Sequence, residues 1–525
     1  MKALCVSPCF PETYWGHEHA LRLIGKRALL PPLGLLTVAA LLPKDWDVRL
    51  CDMNIQSLED ADLDWADVIF LSGMLVQRPS MLEVAGRARA RGKLVVAGGP
   101  HVTATPEAMA PYVDTLVIGE AEELVGPLCA ALESGTVPDR FIATSRPDLT
   151  SLPPPRYDLL DIKAYHAVGV QWGRGCPFRC EFCDIIEMFG RQPRTKEPGQ
   201  LCRELDALLA TGFRGTLFVV DDNFVGNRKA TLAMLDPLGE WMRSHGFPFQ
   251  ILTEASIDLA GCDDLIAKMV AAGFDCVFVG IETPSPDALR ETHKTQNLAT
   301  DLNSSVEKLV RSGLEVTAGF IMGFDADALD RQREWISRSP IPQAMLGLLT
   351  ALPGTQLERR LRREGRLRES ASGETFTRPN FETKLPEPTL LRSYRKALAQ
   401  IYQPEEYFGR CVRALALLPK QSPRLGLPLG YALRCFFRSL WKQGVRGSYR
   451  RAYWKFLFQV LRQAPKRFAR AISLAVAGEH MIRYTRESVM PRLAADIEDA
   501  ERESTFALAD LPSAGGDRIE ADVAV

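Results

Sequence analysis

Residues 173–183 read Gly-Arg-Gly-Cys-Pro-Phe-Arg-Cys-Glu-Phe-Cys, which places three cysteines, Cys176, Cys180 and Cys183, within eight residues. Thiolates bind iron and sulfide strongly, and a short loop with three of them can wrap one face of a four-iron cluster while the fourth iron keeps no protein ligand. A substrate or cosubstrate can coordinate that open iron. The spacing therefore predicts a [4Fe–4S] cluster with one free coordination position.

A structural zinc site is the main alternative for this loop. Structural zinc usually takes four protein ligands. The other nine of the 12 cysteines are scattered along the chain, and the seven histidines do not gather near the loop. The sequence therefore favours an iron–sulfur cluster over zinc, and over cysteines that merely sit close together.

Length and composition limit the class of protein. A chain of 525 residues is long enough for several domains. The sequence has no N-terminal apolar signal segment and no run of 18 or more apolar residues, which argues against a spanning helix and for a reducing compartment. We therefore expect thiols rather than disulfides, and a cytoplasmic location.

Residues 1–140 alternate short apolar runs with helical patterns. Continuous Val, Ile and Leu content is typical of parallel strands covered on both faces. Such doubly wound sheets bind ligands at the carboxyl ends of their strands, where Gly and Pro also mark ordinary turns. The pattern predicts an α/β domain of Rossmann-like type. Its predicted strands are residues 2–7, 47–52, 68–72, 93–97 and 115–118.

A Pro-rich linker, residues 141–164, separates this domain from a second one at 165–360, in which strand-like runs again alternate with helices. Residues 361–500 predict a helical module, and the acidic tail 501–525 is predicted to be disordered. The six predicted strands of the second domain are residues 168–172, 215–220, 249–253, 276–281, 315–321 and 344–351.

The spacing Cys-x3-Cys-x2-Cys, with Phe182 before the last cysteine, resembles the signature of the radical S-adenosylmethionine (SAM) enzymes. The resemblance implies a partial (βα)6 barrel of the TIM type, with its chemistry at the carboxyl ends of the strands. It also implies that Cys176, Cys180 and Cys183 hold the cluster. In that family the amino and carboxylate groups of SAM chelate the open iron. The reduced cluster gives one electron to the sulfonium, which yields methionine and a 5′-deoxyadenosyl radical.

Four residues at predicted strand ends match places where that family contacts SAM. One follows the second strand, where the family often has a Gly-Gly-Glu segment, two follow the third strand, and one ends the fourth. A single Glu at a strand end is more often a helix cap or a surface charge. Their order behind the cysteine loop makes them candidate SAM contacts: Asp222, Glu254, Ser256 and Glu282.

A Rossmann-like domain ahead of such a barrel resembles the cobalamin-binding members of the superfamily, and residues 31–35 and 98–101 are its most recognisable pieces. Many cobalamin domains use Asp-x-His-x-x-Gly, whose histidine ligates cobalt from below, but the matching turn here has Asn54. The resemblance implies methylcobalamin without a histidine lower ligand. The alternative is a domain that has lost cobalamin and only packs against the barrel. The candidate cobalamin contacts are Asn54, Ser72, Gly73, Gly98, Gly99, Gly119 and Glu120.

Residues 183–187, 220–224, 253–257 and 318–325 look like a cobalamin-dependent, class B type, subgroup that contains the bacterial hopanoid C-2 methylases. The resemblance implies a C-methyltransferase in which one SAM regenerates methylcobalamin and another gives the radical. It also implies an electron donor such as flavodoxin or ferredoxin, and a lipid substrate such as a hopanoid.

Three alternatives to that function stay open. The first is a related enzyme with a non-lipid substrate. The second is a methylthiotransferase, whose additional cluster would need Cys5, Cys9 and Cys51. The third is a non-catalytic scaffold, which the intact cysteine loop disfavours because a scaffold has little use for an open iron.

The C-terminal module is basic and aromatic. Residues 410–470 hold 15 Lys and Arg and no Asp or Glu, although the net charge of the chain is −1. Between residues 450 and 464 apolar side chains recur at helical spacing beside cations, as in a helix that lies on the inner face of a membrane. Packing of that face on the barrel is an equal alternative, and no motif indicates nucleic acid. The predicted face is Tyr453, Trp454, Leu457, Phe458 and Leu461.

Overall fold

The computed structural model describes residues 1–374, 378–419 and 429–509. Its first part is a six-stranded parallel sheet with the order β2-β1-β3-β4-β5-β6. All five predicted strands are present, the fourth shifted by one residue, and a short exposed edge strand joins them that the apolar pattern did not predict. The strands are β1 (Lys2–Ser7), β2 (Asp47–Asp52), β3 (Val68–Ser72), β4 (Leu94–Gly98), β5 (Thr115–Ile118) and β6 (Arg140–Ile142).

Both faces of this sheet are buried because successive side chains of a strand point to opposite faces. In β1, Leu4 and Val6 belong to one apolar cluster, and Ala3 and Cys5 belong to another. The helices of this part are α1 (Glu18–Ile24), α2 (Leu33–Leu41), α3 (Asp60–Trp65), α4 (Arg78–Arg89), α5 (Gly99–Ala104) and α6 (Val125–Ser134).

The second part is an open, parallel, six-stranded half-barrel with the order β14-β13-β12-β11-β10-β7, and a two-stranded antiparallel ribbon, β8-β9, precedes its second strand. The predicted partial barrel is therefore confirmed. Its last strand ends three residues before the predicted bound. The strands are β7 (Ala167–Val170), β8 (Gly173–Arg174), β9 (Arg194–Thr195), β10 (Gly215–Val219), β11 (Phe249–Ala255), β12 (Phe274–Glu282), β13 (Glu315–Met322) and β14 (Ala344–Leu348).

Helices alternate with these strands, as the sequence pattern predicts. The helix on the cysteine loop is a single turn, whereas the others cover the outer face of the half-barrel. They are α7 (Ile185–Met188), α8 (Pro198–Ala210), α9 (Arg228–Ser244), α10 (Asp263–Ala271), α11 (Pro286–Glu291), α12 (Leu302–Ser312), α13 (Leu329–Arg338) and α14 (Gln356–Arg363).

The C-terminal part is helical and packs on the barrel. Short π-helical stretches, Leu440–Val445 and Thr485–Val489, follow two of its helices. No helix of the described ranges has both the length and the apolarity that crossing a bilayer requires. The helices are α15 (Glu387–Ile401), α16 (Pro404–Leu417), α17 (Leu429–Ser439), α18 (Arg450–Gln463), α19 (Phe468–Tyr484) and α20 (Met490–Ala509).

Two expectations for this part need correction. The predicted disordered tail begins at residue 501, but α20 continues to Ala509, and residues 510–525 lie outside the described residues. The predicted membrane face of α18 is also divided: Tyr453 and Leu457 are buried, whereas Trp454 and Phe458 are exposed. The helix carries apolar residues on two sides, which the spacing of a single stripe did not reveal.

The predicted linker is a packed connection. Its three prolines lie between short 3-10 turns, Leu149–Ser151 and Tyr157–Leu159. The hydroxyl of buried Tyr157 donates to the carbonyl of Gly169 at 3.1 Å, and Gln200 of α8 donates to the carbonyls of Leu149 and Leu152 at 2.8 and 2.9 Å. These bonds hold the segment between the two sheets against the barrel.

Candidate active site

The carboxyl ends of both sheets meet, because loops that follow strands of the first sheet contact the barrel. The loop after β1 places Trp15 against Phe278 of β12, with ring centroids 5.3 Å apart. The loop after β5 places Glu120 against the β8-β9 ribbon through ion pairs of 2.7 Å with Arg174 and Arg194. Ligands of the two sheets would therefore share one interior.

The cysteine loop begins at a glycine that its conformation requires. Gly175 has a φ of +96°, and a Cβ there would lie 2.9 Å from the carbonyl oxygen of Gly190. Amide groups face two of the thiols: Asn223 Nδ2 lies 3.8 Å from Cys176 Sγ, and Gln296 Nε2 lies 3.7 Å from Cys180 Sγ. Donors at these positions stabilise thiolates that bind metal.

The donor set fits a cluster better than a single ion. Burial raises the pKa of the Cys176 and Cys183 thiols, so both are protonated without metal, and metal binding would displace their protons. Three thiolates on one zinc would have to lie within roughly 4 Å of one another. No such group of His, Cys, Asp or Glu is found in the described part of the chain. Thiolates on three different irons of a cluster can be further apart.

Two acidic residues after β10 fasten the cysteine loop. Asp221 accepts a hydrogen bond from the Trp172 amide at 2.7 Å, and Asp222 accepts one from the Gly175 amide at 2.8 Å. Burial raises the pKa of Asp221 to about 7 and that of Asp222 to about 6, despite these donors. One carboxylate oxygen of the predicted SAM contact Asp222 is therefore engaged in holding the loop.

Glu254 is the predicted contact that lies most openly on the interior. Its side chain is on the wall of the cavity described below, and burial, followed by the nearby Asp222 charge, raises its pKa to about 7. Ser256 hydrogen-bonds to Asn223 and Asp258 instead. Glu254 is thus available to a cationic ligand group, and Ser256 supports the loop around it.

Glu282 is held by a lysine that the motif analysis missed. Lys294 Nζ lies 2.5 Å from Glu282 Oε1, and both side chains are about nine-tenths buried. Burial alone would lower the pKa of Lys294, but Glu282 and the thiol of Cys180 outweigh it and raise that pKa. Lys294 also lies 5.8 Å from the ring centroid of Phe182. A buried cation therefore stands beside the cysteine loop, where an anionic cluster would gain from it.

A cavity of about 410 Å³ opens at the carboxyl end of the half-barrel. Glu254 and Glu282 are its carboxylates near the cysteine loop, and the opposite wall is apolar. Most of that wall comes from β12, β13 and β14, but one residue comes from the first domain. Its members are Trp15, Phe278, Phe320, Met345, Leu346 and Leu348.

The C-terminal helices hold the loop that carries Trp15. Tyr14 is buried, stacks on Tyr402 with centroids 5.3 Å apart and hydrogen-bonds to Thr485. The hydroxyl of Tyr484 donates to the carbonyl of Glu12 at 2.7 Å. Three parts of the chain therefore shape one cavity, and no local sequence signal marks Tyr14 or Trp15 as part of it.

At the edge of the first sheet, the candidate cobalamin contacts have partners within the protein. Asn54 accepts from the Phe10 amide at 2.8 Å and donates to the Pro8 carbonyl at 3.2 Å, so it ties the loops after β1 and β2 together. A Cβ on Gly73, Gly99 or Gly119 would meet protein atoms within 3 Å. These residues form the tight turns of the edge, as do Ser72 and Gly98 at the ends of β3 and β4.

One buried polar atom at this edge is unsatisfied. In the described residues, Nε2 of His101 has no hydrogen-bond partner, whereas its Nδ1 lies 2.9 Å from the Thr105 hydroxyl. Burial lowers the pKa of His101 to about 4, so the ring is neutral. An unmet group at the start of α5 suits a ligand with amide side chains, such as a corrinoid.

Replacing Glu120 with Gln will loosen the two domains. The carboxylate binds two arginines in a site that is only 4% exposed, and a neutral amide leaves their charge poorly compensated. We expect a loss of roughly 2–3 kcal/mol of stability, seen as a lower urea midpoint and faster proteolysis between the domains. Glu107→Gln, which breaks the exposed pair with Arg140, is the control and should change neither. Equal effects of both substitutions would argue against the clamp.

Comparison with known proteins places this arrangement. Residues 27–128 match the B12 binding domain, residues 170–331 match the Radical SAM superfamily, and residues 355–491 match a domain of unknown function, DUF4070. An uncharacterized methyltransferase of Synechocystis sp. is 42% identical over 95% of this chain and 94% of its own length. A hopanoid C-2 methylase of Rhodopseudomonas palustris is 35% identical over 93% of this chain and 94% of its own length.

Two solved structures have the same fold. The cobalamin-dependent SAM radical enzyme OxsB aligns over 96% of this chain and 84% of its own, with a TM-score of 0.59 and 14% identity. The radical SAM methyltransferase TsrM from Kitasatospora setae aligns over 93% of this chain and 99% of its own, with a TM-score of 0.56 and 15% identity.

The fold and the site define a radical SAM enzyme with an N-terminal cobalamin-binding domain. At 35% identity over nearly the whole chain, it belongs to the cobalamin-dependent radical SAM methyltransferases, the family of the hopanoid C-2 methylase. The enzyme class and the domain types are confirmed, and with them the predicted [4Fe–4S] cluster, SAM and cobalamin as cofactors. The substrate, the cofactor contacts and the lower face of cobalt stay predictions.

Proposed function

We propose that this protein methylates an unactivated carbon of a polycyclic lipid of the hopanoid class, at C-2. The observation that carries the proposal is the cavity wall, in which five of six side chains are aliphatic or phenyl and the sixth is Trp15. A rigid hydrocarbon gains free energy on such a surface in proportion to the apolar area it buries. The similarity to a hopanoid C-2 methylase over nearly the whole chain supports the same substrate class.

When bound, the cluster with SAM supplies radical chemistry and methylcobalamin supplies the methyl group. In this proposal Cys176, Cys180 and Cys183 hold the cluster, and the Asn223 and Gln296 amides donate to sulfur. The Gln296 side chain is buried and its Oε1 has no partner among the described residues, so it can turn only a donor toward Cys180 and still accept from a ligand. The apolar wall excludes water from the reacting carbon.

Glu254 and Glu282 take different parts in SAM binding under this proposal. Glu254 has no side-chain partner that would compete with a ligand amino group, and the positive charge of that group would lower its raised pKa. Glu282 is already neutralised by Lys294, so it positions the strand end rather than supplying charge. Asp222 and Ser256 act through the cysteine loop and Asn223.

For cobalamin, we propose that the unsatisfied His101 nitrogen and the turns at Ser72, Gly73, Gly98, Gly99 and Gly119 line the site, and that Asn54 gives cobalt no ligand. The Asn54 amide is used within the protein, since Asp52, Pro8 and Phe10 share its donors and its acceptor. Glu120 acts as the clamp between the domains. Cobalt quantitation on anaerobically reconstituted protein tests the site, and absence of cobalt would refute it.

The methylthiotransferase alternative loses support from the packing of the first sheet. Cys5 and Cys51 belong to apolar clusters on opposite faces of that sheet, and Cys9 lies in the exposed loop after β1. Burial raises the pKa of Cys51 to about 11 and raises that of Cys5 as well. Three thiols so placed would need a different fold to bind one cluster.

Lipid profiling tests the substrate. A strain that lacks this gene should lose a hopanoid that is heavier by one methyl group, and reconstituted protein with SAM, reductant and a desmethyl hopanoid should regain it. An unchanged profile, or methylation of non-lipid acceptors alone, would refute the lipid substrate. A flavodoxin or ferredoxin is the proposed electron donor, and the proposed location is the cytoplasm, with peripheral contact at the inner face of the membrane.

Substitution of Trp15 with Ala will uncouple the two halves of the reaction. Trp15 contacts Phe278 on the substrate wall and lies opposite the cysteine loop, so SAM cleavage should continue while substrate is held less well. We expect the ratio of methylated product to 5′-deoxyadenosine to fall about tenfold or more, with a higher KM for substrate. Phe10→Ala, in the same loop but off the cavity, is the control. Equal loss of both products would contradict a role in substrate binding.

A further inference from the structure

Exposed apolar side chains are concentrated on one part of the C-terminal module. Of 14 large apolar side chains that are exposed in the described ranges, half lie between residues 433 and 461. Phe437, Trp441 and Phe458 are 62%, 55% and 67% exposed. We call this set, with its neighbouring cations, the aromatic–basic surface. Its apolar members are Leu433, Phe437, Trp441, Val445, Trp454, Phe458 and Leu461.

Packing within the protein does not account for this surface. The inward side of α18 is supplied by other residues, since Tyr453, Phe456, Leu457 and Val460 are at most 3% exposed. Phe456 stacks on Phe408 of α16 with centroids 4.7 Å apart. The helix therefore satisfies its packing with one face and presents a second apolar face outward.

The outward residues of two elements form one continuous surface. Trp454 of α18 donates from its indole nitrogen to the carbonyl of Gly444, in the π-helical stretch after α17, at 2.9 Å. Its ring lies 6.4 Å from that of Phe458. In that same stretch Trp441 carries the guanidinium of Arg446 5.0 Å from its ring centroid. These contacts fix the aromatic rings relative to one another.

The charge around the surface has a single sign. Residues 410–470 contain no Asp or Glu, and none of the exposed cations beside the aromatic rings forms an ion pair within the described residues. An occupant must therefore supply the negative charge as well as a place for apolar side chains. These cations are Arg434, Arg438, Arg446, Arg450, Arg451, Lys455, Arg462 and Lys466.

We propose that the aromatic–basic surface docks on an anionic phospholipid membrane. Tryptophan and phenylalanine insert at the boundary of head groups and acyl chains, and lysine and arginine meet phosphate. Attraction of several cations adds up near such a surface and weakens with salt. Nucleic acid would account for the cations but leaves Leu433, Val445 and Leu461 in water. The inference deepens the proposed function and rests on it for the lipid nature of the substrate.

The surface lies close to the way into the active site. Arg438 of α17 donates to the carbonyl of Leu23 at 3.2 Å, at the end of α1. The other end of α1 begins at Glu18, three residues after Trp15 of the cavity wall. One helix of seven residues, about 10 Å long, therefore connects the docking surface with the substrate wall. A lipid that leaves the membrane there has a short path to the cavity.

Vesicle sedimentation tests the proposal on the full-length, cofactor-reconstituted protein. We expect binding to phosphatidylcholine vesicles with 30% phosphatidylglycerol, at least tenfold weaker binding to pure phosphatidylcholine, and loss of binding at high salt. The variants Phe437→Ser/Phe458→Ser and Arg451→Glu/Lys455→Glu should each weaken binding at least tenfold. Leu94→Ser/Ile142→Ser, which alters exposed apolar residues of the first domain, should not. Unchanged thermal unfolding midpoints will confirm that all variants fold.

Several outcomes would overturn the docking proposal. One is folded surface variants that bind vesicles like wild type. Another is binding to a DNA or RNA duplex that exceeds binding to vesicles. A third is a change of oligomeric state with the aromatic variant and none in vesicle binding, which would make the surface a contact between copies. Methylation of detergent-dispersed substrate is measured in parallel, so that its failure, with vesicle binding intact, counts against the proposed function alone.

Discussion

Replacement of Cys180 with Ala is expected to abolish SAM cleavage. With SAM and a low-potential reductant, the reconstituted variant should give 5′-deoxyadenosine only at background level and should lack the iron and sulfide of the wild-type protein. The loop carries three thiols for three irons, and the fourth iron needs its open position for SAM, so no spare ligand can take the place of Cys180. Cys180 is also the thiol that faces the Gln296 amide at 3.7 Å.

Cys202→Ala is the matched control for this experiment. Cys202 lies on α8, away from the loop, and is partly exposed, so its loss should leave iron content and SAM cleavage unchanged. Retention of a four-iron cluster with full cleavage by the Cys180 variant would refute the assignment of the loop. Absence of 5′-deoxyadenosine from the wild-type protein would count against catalysis itself.

Replacement of Arg470 with Met is expected to cost about 3–5 kcal/mol of stability. Arg470 of α19 reaches the base of the barrel, where it binds Asp275 at 2.7 Å and Glu315 at 2.8 Å. Both carboxylates are less than 10% exposed. Methionine fills the space but leaves two buried negative charges without a partner. Urea unfolding of the C-terminal module, followed by tryptophan fluorescence, measures the loss.

The effect of this substitution should depend on pH. Burial raises the pKa of Asp275, and Arg470 partly offsets that rise. Without Arg470 the folded-state pKa moves further above the unfolded one, so the penalty is full above the folded pKa and fades as pH falls below it. The difference from wild type should therefore be larger at pH 8 than at pH 5.

Two further variants separate charge from packing. The triple variant Asp275→Leu/Glu315→Met/Arg470→Met removes all three charges and should recover most of the lost stability. Arg311→Met breaks an exposed pair with Glu307 and should cost at most about 1 kcal/mol. A triple variant no more stable than the single one would mean that packing, not charge, holds α19 on the barrel.

The strands were predictable because each is a local apolar run. Buried parallel strands such as β3 and β5 carry nearly continuous Val, Ile and Leu, and their predicted bounds agree with the structure. The edge strand β6 was missed because three half-exposed residues give no such signal. The double face of α18 was missed because a stripe at helical spacing does not say which of two sides meets the protein.

Short-range spacing also accounts for the chemistry that could be inferred from the chain. Three thiols within eight residues must lie close together in any fold, so Cys176, Cys180 and Cys183 indicated a cluster without further information. Partners that are far apart along the chain had no such signature. Gln296 meets Cys180 across 116 residues, and Lys294, which pairs with Glu282, lies on a loop without a motif.

The reaction class thus follows from residues that are neighbours in sequence, because chain geometry alone holds them together. The shape of the substrate cavity follows from tertiary contacts. Trp15 reaches the barrel only because Tyr14 and its neighbours bind helices more than 380 residues further along the chain. The outward face of α18 is likewise defined only once its other face is packed. Burial and long-range pairing are properties of the folded chain, and no local pattern records them.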